Sequence, residues 1–170
     1  MNLLRGLSGH PSHPPLTDAT IGIYTFATIA AILSKLGVAE GAFAQAWWLA
    51  LVVGLVTTVL TAFTGFLDWL QISRGTPLWR TATAHLSTML LATVLFAVAA
   101  GAGKAGYDDR EVTSGFLIIT LVGFGTLTVG GWLGGTITYV HGMRVLNLVE
   151  EPATRATSPV PRPEEEAAES

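Results

Sequence analysis

The chain contains no cysteine. That excludes disulfides, thiolate nucleophiles, cysteine-ligated iron–sulfur clusters and covalently attached c-type haem, and leaves His, Asp, Glu and Met as ligating side chains. Charge is the second scarcity. Only 12% of the 170 residues are Asp, Glu, Lys or Arg, about half the usual share in a soluble domain. The formal net charge of −3 is more than accounted for by Glu164, Glu165, Glu166 and Glu169. The body is therefore near neutral and offers no basic face for nucleic acid. The first residues, MNLLRGLSGHPSHPP, hold no apolar stretch long enough for a signal peptide, so the chain is expected to insert through its own first span.

What is present is apolar: half of the chain is hydrophobic. It falls into four runs, about 16–36, 46–70, 81–102 and 115–140, each reaching ~30 Å or more at ~1.5 Å per helical residue, the thickness of a hydrocarbon core. The expected fold is all-α, a four-span transmembrane helical bundle in the lipid bilayer. Trp47, Trp48 and Trp69 at the two ends of the second run fit interfacial aromatic belts, and Lys35 can snorkel to the far interface. The rival, a soluble helical bundle, has too little polar surface to cover four such runs. Residues 1–17 read as an N-terminal segment kept extended by Pro11, Pro14 and Pro15, with Thr17 or Asp18 capping the first helix. Residues 18–148 read as the four-helix domain, and 149–170 as an acidic tail too poor in apolar surface to fold, hence disordered.

Four spans put both termini and the second connection on one side. That side carries Arg5, Arg74, Arg80 and Arg144 beside the spans; the other carries Lys35, Lys104 and Arg110. The positive-inside rule then places both termini in the cytoplasm.

The same count brings all four histidines to one face: His10 and His13 before the first span, His85 near the start of the third, His141 at the end of the fourth. Asp18 and Asp68 join them. Ionisable groups at a span edge are costly unless paired or hydrated, which makes them site candidates. Helical spacing points polar or small stripes to that end: Gly54, Thr58, Thr61, Gly65 and Asp68 in span two; Gly123, Gly130, Gly134 and His141 in span four; Asp18, Gly22 and Thr25 in span one; His85, Thr88 and Ala92 in span three.

Several readings of this cluster stand side by side. It can be structural, with Asp68 and the histidines satisfying helix ends. It can hold a b-type haem between two imidazoles, for which His85 and His141 are the pair lying on spans, with His10 and His13 beside them. It can hold a transition metal such as zinc or iron through Asp68, His10, His13, His85 and His141. It can relay protons. Ser87 near His85 is too little for a hydrolase, and a transporter is disfavoured because the spans carry no mid-depth charge and show no inverted repeat. Either the chain binds a cofactor, or it is an accessory membrane subunit without cofactor or catalytic activity. The leader GHPSHPPLTD is expected to fold as a lid over this end.

The motifs GHPSHPP (9–15), FTGFLDWL (63–70), His85 early in span three and GGWLGGTITYVHG (130–142) together resemble a bacterial four-helix membrane family, domain of unknown function 2231, over residues 9–145. PPLTDATIG (14–22) looks like the subgroup with Thr-Asp where others have Val-His, and a proline usual before the glycine is replaced here by Ile21. The resemblance implies a multi-pass protein of the bacterial inner membrane without an assigned activity. It implies that His10, His13, Asp68, His85 and His141 are motif positions. It also implies an association with redox, since some relatives are fused to Rieske-type iron–sulfur domains and the fold looks similar to haem-binding cytochrome b subunits. A Rieske-type partner of this cysteine-free chain would be a separate protein.

A C-terminal alkaline-phosphatase fusion is expected to be inactive and a C-terminal fluorescent-protein fusion bright; the opposite pattern reverses the orientation.

Overall fold

The computed structural model describes residues 6–7 and 10–145, with side chains from Pro11 onward. Two short strands, β1 (Gly6–Leu7) and β2 (His10–Pro11), pair antiparallel ahead of the helices. Then follow α1 (His13–Lys35), α2 (Glu40–Trp69), α3 (Pro77–Ala102), a single-turn-and-a-half α4 (Lys104–Asp109) and α5 (Ser114–Tyr139). Four of these, α1, α2, α3 and α5, are long and apolar enough to cross a membrane. The acidic tail, 149–170, lies outside the described residues.

Helix starts differ from expectation, and proline chemistry explains why. α1 begins at His13 rather than near Leu16, so Pro14 and Pro15 lie in its first turn instead of holding an extended leader. The first-turn N–H groups have no intrahelical acceptor, so proline loses nothing there and its fixed φ suits the helix. Ser12 occupies the N-cap without a side-chain cap bond, and neither Thr17 nor Asp18 caps. The helix runs unbroken through Ile21. Pro77 opens α3 in the same way, behind Thr76, whose hydroxyl accepts from the Trp79 N–H at 3.1 Å. Thr113 caps α5, accepting from the Phe116 N–H. α2 starts at Glu40, ahead of the expected position near 46, after Ala39 in the left-handed region (φ 43°).

The four spanning helices form a ring in the order α1, α2, α3, α5. Packing is dense within the hairpins α1–α2 and α3–α5, lighter between α2 and α3 and between α5 and α1. α1 and α3 thus face each other across the bundle axis.

The distribution of side chains is that of a membrane protein. Small or hydroxylated residues fill the interior: Ala27, Ala30, Ala31, Ala44, Ala92, Ala99, Thr20, Thr28, Thr61 and Thr120. Large apolar residues point outward, among them Val56, Val59, Phe63, Leu91, Val94, Ile118, Val122, Val129 and Trp132. Water would drive those inward, whereas lipid gives no such drive and leaves close packing of small residues to hold the helices. The buried hydroxyls bond back to the preceding turn, as Thr28 does to the Tyr24 carbonyl at 2.8 Å. No buried side-chain nitrogen or oxygen among the described residues lacks a partner.

Few large side chains are fully enclosed. Tyr24 and Phe96 stack on the axis, centroids 4.0 Å apart and planes 8° apart. The Trp47 indole N–H donates to Thr120 Oγ1 at 3.1 Å. A Cβ on Gly54 would sit 2.6 Å from the Tyr24 ring, and one on Gly123 3.0 Å from Phe96. These rings therefore need glycine opposite. Gly54→Ala is expected to lower stability by about 1–3 kcal/mol through overpacking, read as a drop in unfolding temperature in detergent. Gly22→Ala, where nothing lies within 4 Å, should change it little.

Candidate functional site

His13 is the first residue of α1 and reaches α2. Its ring lies on Gly65, where a Cβ would come within 2.6 Å of Cε1. Nδ1–H donates to the Thr61 carbonyl at 3.0 Å, with Thr64 Oγ1 at 3.3 Å. A carbonyl only accepts, so Nδ1 holds the proton and the lone pair of the neutral ring is on Nε2. Thr17 Oγ1 lies 3.5 Å from Nε2 but spends its proton on the His13 carbonyl at 3.0 Å.

His85 repeats this arrangement in the other hairpin. Two turns into α3, it reaches α5, lies against Gly134 (a Cβ there would be 3.3 Å from Cε1), and donates from Nδ1–H to the Gly130 carbonyl at 2.8 Å. Its Nε2 also carries the lone pair and has no hydrogen-bond partner among the described residues. Since no buried nitrogen there is unpartnered, that atom borders open space. His13 lies within Coulombic range of both His85 and Asp68.

The other residues of the expected cluster are placed differently. His141, just past α5, has Nε2 3.1 Å from Thr81 Oγ1; the Thr81 hydroxyl donates to the Pro77 carbonyl, so Nε2–H of His141 is the donor in that contact. Asp68 is buried at the end of α2 and ion-paired with Arg144, which follows α5 at φ 64°. Asp68 also lines an open cleft with Gln71, Ile72, Ser73, Thr76, Leu78 and Met143. Asp18 is exposed, and Gly22 meets nothing within 4 Å, so the expected inward stripe of span one is corrected. The inward face carries His13, Thr20, Tyr24, Ala27 and Ala31 instead. The stripe in α2 is inward as expected, and in α5 Gly123, Gly130 and Gly134 are. Within the expected lid, residues from His13 onward are helix, and the His10 side chain lies outside the described residues.

Among the described residues no three His, Asp or Glu side chains converge as metal ligands. A bare zinc or iron ion asks for three or four protein ligands, a haem for one or two. The paired imidazoles fit the second requirement. Their Nδ1–H bonds to main-chain carbonyls are the outer contacts that usually fix the tautomer of a ligating histidine. Spacing alone missed Arg144 and the two carbonyls, Thr61 and Gly130. Arg144 was visible as the cation following YVHGM, but the carbonyls leave no mark in sequence.

A family model described as predicted membrane protein (DUF2231) matches residues 9–147. The chain belongs to this family. The match takes in all four spans and all four histidines. No curated protein and no solved structure matches.

Asp68 and Arg144 tie the second hairpin's exit to the first hairpin's end. A double-mutant cycle of Asp68→Asn and Arg144→Gln is expected to give a coupling of about 0.5–3 kcal/mol in detergent unfolding. Additive losses would show that the pair contributes nothing to stability.

Proposed function

We propose that this DUF2231 membrane protein holds a b-type haem between His13 and His85 and serves as a cofactor-bearing subunit of a membrane redox system. The observation that carries the reading is the pair of imidazoles on facing helices α1 and α3. Each is fixed through Nδ1–H to a main-chain carbonyl and each has the Nε2 lone pair left for a ligand. His85 belonged to the pair expected from sequence; His13 takes the place of His141, whose Nε2 is engaged with Thr81. Bound there, haem would supply one-electron transfer. The protein's part is to hold two neutral imidazoles against Gly65 and Gly134 and to place Asp68 and Arg144 nearby as fixed charges. With both termini cytoplasmic, the pair lies at the cytoplasmic face of a bacterial inner membrane. A Rieske-type or other iron–sulfur protein fits as a separate electron partner.

One observation favours a purely structural reading: each histidine already cross-links two helices of its own hairpin. An absorption spectrum of gently purified protein, with metal analysis of the same sample, separates the two. The expected result is a Soret band that is lost when His13→Ala and His85→Ala are combined and kept in His141→Ala. Wild-type protein without chromophore overturns the haem reading in favour of the accessory-subunit one.

A further inference from the structure

The two hairpins obey one numbering rule. His85 and Phe96 each stand 72 positions after His13 and Tyr24, and Gly123 and Gly134 each stand 69 after Gly54 and Gly65. Within every one of the four helices the two positions are 11 apart. The contacts repeat with the residues. His13 lies on Gly65 and bonds the carbonyl four residues earlier, Thr61; His85 lies on Gly134 and bonds the carbonyl four residues earlier, Gly130. Tyr24 lies on Gly54 as Phe96 lies on Gly123, and the two rings stack on each other.

The same offsets run on through the interior. Thr20 and Ala92, Ala27 and Ala99, Thr28 and Ala100 are buried at offset 72; Leu51 and Thr120 are buried at offset 69. Trp47 and Phe116, also 69 apart, meet with ring centroids at 5.7 Å. Helices α1 and α3 run the same way through the membrane, as do α2 and α5. The operation relating the hairpins is therefore a two-fold rotation about the membrane normal, not an inversion of topology. This answers why no inverted repeat is visible: the repeat is parallel, and few positions besides its rings and glycines keep their identity.

From this we infer that the chain is a fused pair of equivalent histidine-bearing hairpins. His13 and His85 are symmetry mates of a single two-sided binding site on the axis, with Gly65 and Gly134 as the positioning residues that set their imidazoles. Both rings lie 11 residues from the stacked Tyr24 and Phe96, or ~16 Å along a helix, so they share one depth near one membrane face. The site suits a ligand that takes one nitrogen from each imidazole. That ligand class rests on the haem reading; the paired cradle does not.

Two measurements test the inference separately from the haem. The first is 15N NMR of histidine-labelled, cofactor-free protein in nanodiscs, assigned with single His→Gln variants. His13 and His85 should both show the Nδ1–H tautomer, and His141 should not. Gly65→Ala should abolish that signature at His13 while leaving His85 unchanged. Gly134→Ala should act only on His85 and more weakly, since its Cβ has 3.3 Å rather than 2.6 Å. Gly22→Ala is the control for folding. The second is imidazole rescue of haem-loaded His13→Gly and His85→Gly. Each should lose the low-spin six-coordinate spectrum and regain it to the same extent with free imidazole.

An Nε2–H tautomer at either histidine, or a glycine variant acting on the wrong histidine, overturns the paired cradle whether or not haem is present. Matching tautomers in a protein that binds no haem support the cradle and reject only the ligand. If the glycine variants do not fold, unequal rescue of the two histidine variants is the result that overturns it.

Discussion

Ring against glycine is the contact on which the bundle depends. In lipid, burying apolar surface brings no gain, and helices are held by how closely they approach. A glycine lets the partner helix present a flat ring to the backbone with no Cβ between. This occurs at Gly54 under Tyr24, Gly65 under His13, Gly123 under Phe96 and Gly134 under His85. At two of these places the ring is an imidazole, and the same close approach brings its Nδ1–H within reach of a helix carbonyl that already serves its own helix. The hydrogen bond and the packing therefore have one cause. The fold and the proposed site share it too: the glycines that close each hairpin are those that aim the histidines.

The end of the bundle where the histidines lie also holds a buried ion pair. Asp68 closes α2 beneath the surface and Arg144 comes back to it from beyond α5. An aspartate so buried requires a cation or hydrogen bonds, and the chain supplies the cation from the segment after the last span. This tether joins the first hairpin to the end of the second at a place where the two otherwise touch lightly. The opposite end is closed by other means: Trp48 donates to the Ala100 carbonyl, and Lys104 lies over the Trp48 and Tyr107 rings.

The architecture was legible because four uncharged runs of spanning length have few other solutions, and the inward stripes of α2 and α5 were legible because glycine and threonine at helical spacing mark close approach. α1 was misread for a physical reason. Asp18, Gly22 and Thr25 form a small, polar stripe by composition, but Gly22 faces open space, and the true inward face is carried by Tyr24 and His13, which look respectively too large and too early. Prolines at 14 and 15 suggested that the helix had not yet begun, although the first turn is where proline costs least. Pairing His85 with His141 followed from both being on spans. The structure puts His13 on a span as well. The duplication was hidden because most equivalent positions differ in identity, and only contacts reveal that they are equivalent.

The two halves keep geometry and diverge in polarity, and that pattern itself argues for a site. Tyr24 bonds Thr58 through its hydroxyl at 2.9 Å, while their counterparts 72 and 69 positions on, Phe96 and Leu127, are both apolar and buried. Asp68 has Ile137 as its counterpart, so the carboxylate belongs to one hairpin only. Packing alone would tolerate replacing either histidine by another flat ring, as Tyr has been exchanged for Phe one layer deeper. Yet both positions hold histidine, on the same seat, with the same nitrogen turned to a carbonyl. A constraint that acts equally from both sides of the axis at that layer, and not at the layer of Tyr24 and Phe96, is what a ligand shared by the two imidazoles would impose. The one-sided charge of Asp68 and Arg144 would then bias the electrostatics of that shared ligand without disturbing how it is held.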